Sequence, residues 1–271
     1  MMNTEDLQKA EFLTKEQITK MAPSVYAMQP SNDVSDKYTH IPTERVIDDM
    51  ELLGWKPIEA KQVKARKKST QGFQKHLLVF RNNDIVINGE DGDTVYPQIL
   101  LTNSHDGKNS FQFQAGLYRL ICSNGLVIAD EKFEDVKMRH MGYTFEDLQV
   151  KIKDMVERLP LTVESMNKMK AIEMGQEQMI AFAREAVSAR FTAKELNRIE
   201  IDVQELLNPV RKEDRGNDLW SVFNVVQEKL ITGDFSYRAG GKPRKAREVK
   251  NFKQDMVINK KLFNVALEYA S

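Results

Sequence analysis

The hydrophobic period of this chain changes close to Gly125, and that change restricts the folds open to it. Before Gly125, four segments rich in Phe, Val, Ile and Leu are separated by polar turns, as in antiparallel strands. After it, apolar residues recur every three or four positions, as in amphipathic helices. The four segments are residues 73–80, 84–87, 96–101 and 110–121. The sequence therefore predicts an α+β protein with an antiparallel β-meander and a mainly helical C-terminal half.

A helix is predicted directly before the meander. Val46, Ile47 and Met50 fall on one helical face, and Gly54 is the kind of residue at which such a helix ends. We therefore expect three parts in the chain. They are an N-terminal arm with a short helix over residues 1–41, the helix and β-meander over 42–130, and a helical region that packs on the sheet over 131–271.

Further signals divide the helical region. A capping box at Thr144 predicts a helix that Pro160 ends, and an apolar stripe over residues 163–187 predicts one long helix after it. Residues 238–253 lie between the last two predicted helices. Gly240 and Gly241 within this stretch indicate a mobile basic loop.

Composition excludes several classes of protein. A single cysteine, Cys122, cannot form an internal disulfide, and we expect it to be a small buried side chain rather than a nucleophile. No zinc-finger spacing, phosphate-binding glycine loop or dinucleotide fingerprint occurs, so we expect no cofactor and no ATP-driven motor. The N-terminus is polar, and no apolar run approaches the roughly 18 residues of a membrane span. These features predict a cytoplasmic protein with no membrane partner.

The charge of the chain is balanced overall but unevenly distributed. It has 40 basic and 40 acidic residues, yet residues 56–75 and residues 238–253 each hold seven basic residues against one acidic residue. Concentrated positive charge attracts polyphosphate backbones. The simpler interpretation, that these lysines and arginines only solvate two surfaces, remains open.

Aromatic residues accompany the first basic block, and this combination is typical of single-strand binding, in which cations neutralise phosphates and flat rings stack on bases. Trp55 or Phe73 would stack, although Phe73 is equally well explained as core. His76 and Arg81 would continue the positive surface along a predicted hairpin, and Arg244, Lys245 and Arg247 would clamp the far side. The predicted nucleic-acid-binding residues are Lys61, Lys64, Arg66, Lys67, Lys68, Lys75, His76, Arg81, Arg244, Lys245, Arg247, Trp55 and Phe73.

One short sequence segment could support catalysis instead. His105 beside Asp106 could bind a metal or act as a general base, with Asp91, Asp93 and His76 joining if the sheet brings them close. The favoured interpretation is structural, because Asp106-Gly107 between two strands is a common hairpin turn with a positive φ at the glycine. His140 has no companion that suggests a ligand set, and we expect it at the surface.

Six strings carry a resemblance that extends from about Tyr38 to Ile231. They are YTHIPT at 38–43, GWKP at 54–57, GFQKH at 72–76, NSHDG at 103–107, AGLYRLICSNGL at 115–126 and LWSVFN at 219–224. In this order they resemble the phage/plasmid-like protein family, a domain family of unknown function. The resemblance implies a protein encoded by a bacteriophage, prophage or conjugative plasmid that works in the bacterial cytoplasm. It implies no catalytic residues.

The layout of the chain is also similar to that of phage single-strand annealing proteins of the Redβ and Erf kind. Those proteins combine a helix, a β-meander, packing helices and a basic groove, and they assemble into rings or filaments without hydrolysing ATP. This second likeness is architectural and involves no shared motif.

We therefore expect a DNA-binding protein that prefers single strands and promotes their annealing in recombination or replication without ATP. We also expect it to form a homo-oligomer, with host or phage replication and recombination proteins as further partners. A non-enzymatic role is favoured. One alternative is a metal-dependent nuclease or hydrolase that uses His105, Asp106, Asp91 and Asp93. Another is a host-defence antagonist that acts by protein–protein binding, which the excess of acidic residues before Trp55 keeps open.

Overall fold

A computed structural model describes residues 11–35, 38–65, 70–88, 94–109, 111–119, 126–127, 136–138, 144–210 and 214–271. The chain divides into two compact units. Unit 1 comprises the described residues within 1–125 and 133–159, and unit 2 comprises those within 126–132 and 160–271. The three-part division expected from the sequence stays a prediction.

The secondary structure confirms the predicted α+β class. The helices are α1 (Lys15–Met21), α2 (Thr43–Leu52), α3 (Phe145–Lys170), α4 (Gln176–Ala186), α5 (Ala193–Leu196), α6 (Leu219–Thr232) and α7 (Phe252–Tyr269). The strands are β1 (Lys56–Gln62), β2 (His76–Arg81), β3 (Ile87–Asn88), β4 (Thr94–Asn103), β5 (Phe111–Arg119), β6 (Leu126–Val127), β7 (Val136–Met138), β8 (Ile199–Ile201), β9 (Ser236–Ala239) and β10 (Lys242–Lys245). Short 3₁₀ helices occur at Pro23–Tyr26, Val187–Ala189 and Glu205–Leu207.

Unit 1 is built on the predicted antiparallel meander. Its strands run in the order β1, β2, β4, β5, with β3 paired to β4 and β7 to β5. β1 and β7 were not predicted from the sequence. Residues 56–62 of β1 carry too many charges to show a clear apolar alternation. Phe80, Leu101 and Phe113 are fully buried on these strands, and Val46 and Met50 of α2 are buried as predicted. Burial of such side chains supplies most of the stabilisation of the unit.

Unit 2 has a helical core and a small sheet. Apolar residues of α6, including Trp220, Phe223 and Leu230, are buried. Trp220 stacks on Phe223 at 5.6 Å between ring centroids, and Phe223 packs against Phe263 of α7 at 6.0 Å. β10, β9 and β8 form a three-stranded antiparallel sheet in that order. Within the described ranges, no helix combines the length and the apolar character that a bilayer crossing demands.

Two helix boundaries differ from the predictions. α3 continues through Pro160, although a proline inside a helix costs about 3 kcal/mol. Burial of Ile152, Met155, Met166 and Met169 on this helix offsets that penalty. The predicted long helix over 163–187 is interrupted after Lys170, because the backbone of residues 172–174 pairs with residues 217–219 instead of continuing the helix.

The expected mobile loop at 238–253 is also corrected. Its first half is the hairpin of β9 and β10, joined by Gly240 and Gly241, whose φ angles are +57° and +74°. Two consecutive residues with positive φ form the turn that matches the twist of a two-stranded ribbon. Glycine adopts this conformation without the strain that a Cβ would introduce.

Candidate nucleic-acid interface

The first basic block is only partly within the described residues. Lys61 and Lys64 are exposed, and the Lys61 ammonium lies 2.5 Å from the Glu59 carboxylate. Lys75 is half-buried next to β1, where its carbonyl accepts from the Val63 N–H at 2.9 Å. Arg66, Lys67 and Lys68 lie outside the described residues. The structure therefore places three exposed cations of this block, Lys56, Lys61 and Lys64, and one of them, Lys61, already faces a carboxylate.

The other predicted residues of the first block lie mostly inside unit 1. Trp55 is 2% exposed and Phe73 is half-buried. His76 is fully buried, and Arg81 is 3% exposed with its guanidinium 3.4 Å from the Tyr96 ring centroid. His76 and Arg81 therefore do not extend a positive surface along the hairpin, and the Trp55 ring offers no open face to a base.

His76 belongs to a buried polar cluster that we call the Thr43 cluster, formed by Ser24, Thr43, His76, Asn103 and His105. The Gln74 carbonyl lies 3.1 Å from His76 Nδ1 and can only accept, so Nδ1 carries the proton and Nε2 accepts from the Thr43 hydroxyl at 2.9 Å. The Thr43 oxygen in turn accepts from the Asn103 amide at 3.0 Å. Burial lowers the pKa of His76 to about 4, so the imidazole is neutral at pH 7.

Two residues of the catalytic alternative, His105 and Asp106, lie in or beside this cluster. The His105 imidazole is buried, with its ring 4.6 Å from that of His40 and 5.2 Å from that of His76. Asp106 accepts from the Ser104 hydroxyl at 2.8 Å and from the Lys108 N–H at 3.1 Å.

Gly107 has a φ of +69°, and β4 pairs with β5 on either side of the turn. The hairpin turn predicted at Asp106-Gly107 is therefore confirmed. Asp91, Asp93, Cys122 and His140 lie outside the described residues. Among the residues that are described, no three His, Cys, Asp or Glu side chains are grouped so that they could hold a metal ion.

The second basic block forms one wall of an open cavity of about 580 Å³ in unit 2, which we call the basic groove. Its aromatic lining comes from Phe191 and Tyr237. Its full lining is Arg190, Phe191, Tyr237, Arg244, Lys245, Ala246 and Arg247. Arg244, Lys245 and Arg247 are exposed, whereas Arg190, Phe191 and Tyr237 are half-buried. Cations and flat rings thus line the same concavity.

The β9–β10 hairpin determines which residues face one another in the groove. Tyr237 of β9 lies directly opposite Arg244 of β10, and Ser236 lies opposite Lys245. Directly opposed residues of an antiparallel pair project to the same side, with Cβ atoms about 5 Å apart. An aromatic ring and a guanidinium therefore project side by side from the hairpin.

The segment after β10 is held close to the end of α6. Ala246 N–H donates to the Phe235 carbonyl at 2.9 Å, and Val249 N–H donates to the Ile231 carbonyl at 2.8 Å. Gly233 ends α6 with a φ of +75°, and a Cβ at this position would lie 2.5 Å from the Arg247 carbonyl carbon. Only glycine permits this approach of two backbones. The position of Arg247 is therefore fixed by main-chain contacts.

Arg190 connects the end of α6 to the segment that carries Arg247. Its guanidinium donates to the carbonyls of Leu230 and Arg247, and it lies 5.5 Å and 5.4 Å from the ring centroids of Phe191 and Phe235. Partial burial lowers the pKa of Arg190 from its usual value, although an arginine stays charged in proteins. Arg190 therefore adds positive charge to the groove and positions its wall.

Carboxylates near the groove neutralise part of its charge. Asp234 accepts from the Lys229 ammonium at 2.6 Å and lies 3.6 Å from that of Lys245. The hydrogen bond from Lys229, with a smaller contribution from Lys245, lowers the pKa of Asp234. Lys229 contacts Oδ2 and Lys245 lies nearest to Oδ1, so the two ammonium groups face different oxygens of this carboxylate.

Sequence reasoning identified the cations of the hairpin and missed Arg190, Phe191 and Tyr237. Arg190 lies 57 residues before Arg247, and the sequence around it shows only the end of an amphipathic helix. The Ser-Tyr-Arg-Ala string before Gly240-Gly241 did carry a signal, because alternation across a two-glycine hairpin places Tyr237 opposite Arg244.

Fold and groove together define a class of protein: an α+β chain with a strand-rich unit and a helical unit, the latter carrying a cation- and aromatic-lined groove. The chain belongs to the family described as "Domain of unknown function (DUF932)", which matches residues 31–263. The expected membership in a domain family of unknown function is thereby confirmed.

Two proteins of Escherichia coli (strain K12) are similar to the chain over most of its length. UPF0380 protein YafZ is 30% identical over 255 residues, which cover 94% of this chain and 90% of that protein. UPF0380 protein YfjQ is 29% identical over the same lengths. No solved structure matches the chain.

Proposed function

We propose that this protein is a phage- or plasmid-encoded DNA-binding protein that binds single strands and promotes their annealing in recombination or replication without ATP. The observation that supports it most directly is the basic groove of unit 2, where four cations and two aromatic rings line one cavity. Such a combination suits a phosphate backbone whose bases are unpaired.

The charges of the groove suit a polyanion better than a small neutral ligand. Arg244 and Arg247 are exposed, and their guanidinium groups can each donate two parallel hydrogen bonds to a phosphate. Their main chain is held by hydrogen bonds and by the close approach to Gly233, so little conformational freedom is lost when a strand binds.

In this proposal, unit 1 contributes less to strand binding than the sequence predicted. Lys61 and Lys64 stay exposed, but Glu59 neutralises Lys61, and the core holds Trp55 and His76. We retain the first basic block, including Arg66, Lys67, Lys68 and Lys75, as a secondary electrostatic contact for the strand. Base stacking in this proposal belongs to unit 2.

The broader biological setting is part of the same proposal. The resemblance to phage- and plasmid-encoded proteins suggests the bacterial cytoplasm as the place of action. The similarity of layout to Redβ- and Erf-type annealing proteins suggests a homo-oligomer, because annealing requires two strands to be held together.

A salt titration of single-strand binding tests the proposal. The affinity of the wild-type protein for a short oligo(dT) should fall with salt by about 0.7 log units per log unit of salt for each phosphate neutralised. The triple variant Arg244→Ala, Lys245→Ala, Arg247→Ala should bind more weakly on unrelated sequences, with a slope smaller by about 2.

A matched control removes the same charge from elsewhere in unit 2. Lys168, Arg184 and Lys261 are exposed, lie outside the second basic block and do not line the groove, so their triple replacement by Ala should leave the affinity close to that of wild type. No salt dependence in the wild-type protein, or equal losses in the two triple variants, would reject the proposal.

A further inference from the structure

We propose that the basic groove takes one unpaired nucleotide, with its base stacked on Tyr237 and its phosphate bound by Arg244. This inference rests on the proposed function and makes it more specific, because it assigns the recognition of unpaired bases to one ring. Tyr237 is then the residue that distinguishes a single strand from any other polyphosphate.

The hairpin register brings the two groups together. Tyr237 and Arg244 are directly opposed across β9 and β10, and both line the cavity. In a nucleotide, one sugar joins the base to its phosphate, so a ring and a guanidinium on neighbouring strands can bind the two parts of the same unit. Lys245 and Arg247 follow along the chain and can contact the adjoining phosphates.

The other two aromatic rings near the groove, Phe191 and Phe235, already pack against neighbouring side chains. Phe235 is 2% exposed and packs its ring edge-to-face with Phe191 at 6.3 Å. Phe191 also contacts the Arg190 guanidinium and lies 6.0 Å from Tyr237 at an interplanar angle of 60°. A contact at this angle is of the edge-to-face kind and covers at most one face of the Tyr237 ring, so Phe191 leaves at least one face for a base.

The expected ligand class follows from this chemistry. A tyrosine ring stacks on any base, since every base has a π-face, so the groove should show little base preference. A duplex keeps its bases stacked and paired, and it can offer only phosphates to Arg244, Lys245 and Arg247. The groove should therefore favour single strands over duplexes through Tyr237 alone.

Two single-stranded probes of equal length separate stacking from charge: oligo(dT) and an abasic phosphodiester strand. Wild-type protein should bind oligo(dT) roughly 5- to 100-fold more tightly than the abasic strand, which is the range for one stacked base. Tyr237→Leu should reduce oligo(dT) affinity to that of the abasic strand and leave abasic and duplex binding unchanged. Tyr237→Phe, which keeps the ring, should bind both probes as wild type does.

The outcomes distinguish this inference from the proposed function. If the wild-type protein binds oligo(dT) and the abasic strand equally, or Tyr237→Leu weakens both to the same extent, Tyr237 does not stack on a base and the inference is overturned. If the wild-type protein binds neither probe, the proposed function itself fails. Retained discrimination in Tyr237→Phe, together with its loss in Tyr237→Leu, supports the inference.

Discussion

The Thr43 cluster of unit 1 and the basic groove of unit 2 both contain residues that the sequence predicted to bind nucleic acid, yet these residues lie in opposite environments. His76 is buried, neutral and hydrogen-bonded to Thr43. Arg244 and Arg247 are exposed beside aromatic rings. Basic residues of one predicted binding set can therefore lie in the core or at the surface, because β2 is buried on both faces whereas β10 is exposed along its whole length.

The largest expected effect concerns the Thr43 hydroxyl. Thr43→Val keeps the shape of the side chain but removes the hydroxyl that contacts His76 Nε2, His105 Nε2 and the Asn103 amide. We expect a loss of about 4 kcal/mol in the free energy of unfolding, because buried polar groups without partners are costly. Urea unfolding measures this loss.

Thr43→Ser is the matched control, because it retains the hydroxyl and removes one methyl group, at a cost of about 1 kcal/mol. Should Thr43→Val be no more destabilising than Thr43→Ser, the hydrogen bonds of the cluster do not contribute to stability as described.

A smaller change in the free energy of unfolding is expected when the pH is lowered. The folded pKa of His76 is about 4, below the usual value of 6.5, so the unfolded chain binds a proton first as the pH falls. This contribution to stability is fully present above pH 6.5 and decreases down to pH 4, by about 3 kcal/mol.

Urea unfolding of wild type and His76→Gln at several pH values isolates this term. The wild-type protein should lose more stability than the variant between pH 6.5 and pH 4. Parallel curves for the two proteins would show that His76 is not held neutral by burial.

Much of the fold was predictable because it depends on local periodicity. The alternation over residues 111–117 indicated a strand, and the apolar spacing of α6 indicated a helix with a buried face. The helix end predicted at Pro160 was wrong, because burial of apolar residues along α3 outweighs the local preference of proline. The loop predicted over residues 238–253 was wrong in its first half, where Gly240-Gly241 forms the tight turn of a hairpin.

The candidate site was less predictable, because it depends on contacts between distant parts of the chain. The cations of residues 244–247 were visible as a charge cluster, but the contact of Arg190 with the Arg247 carbonyl joins residues 57 positions apart. The burial of His76 and Arg81 was equally invisible, because β2 is buried at every residue on both of its faces, whereas a sequence-based alternation would place these polar residues at the surface.

The smallest expected effect concerns the turn that shapes the groove. Gly241→Ala should cost about 1 kcal/mol, because its φ of +74° strains a residue with a Cβ while the site has open space around it. Gly241→Asn should cost less, since asparagine tolerates this conformation. Thermal unfolding compares the two variants, and equal stability of Gly241→Ala and wild type would contradict the hairpin geometry.

The central claim is that the basic groove contacts the nucleic acid strand and that the Thr43 cluster does not. Ultraviolet cross-linking of the full chain to oligo(dT), followed by peptide mapping, tests this directly. We predict attachment in the peptides that contain Phe191, Tyr237 and Arg244. Attachment confined to peptides that contain Trp55, Phe73 or His105 would contradict the account.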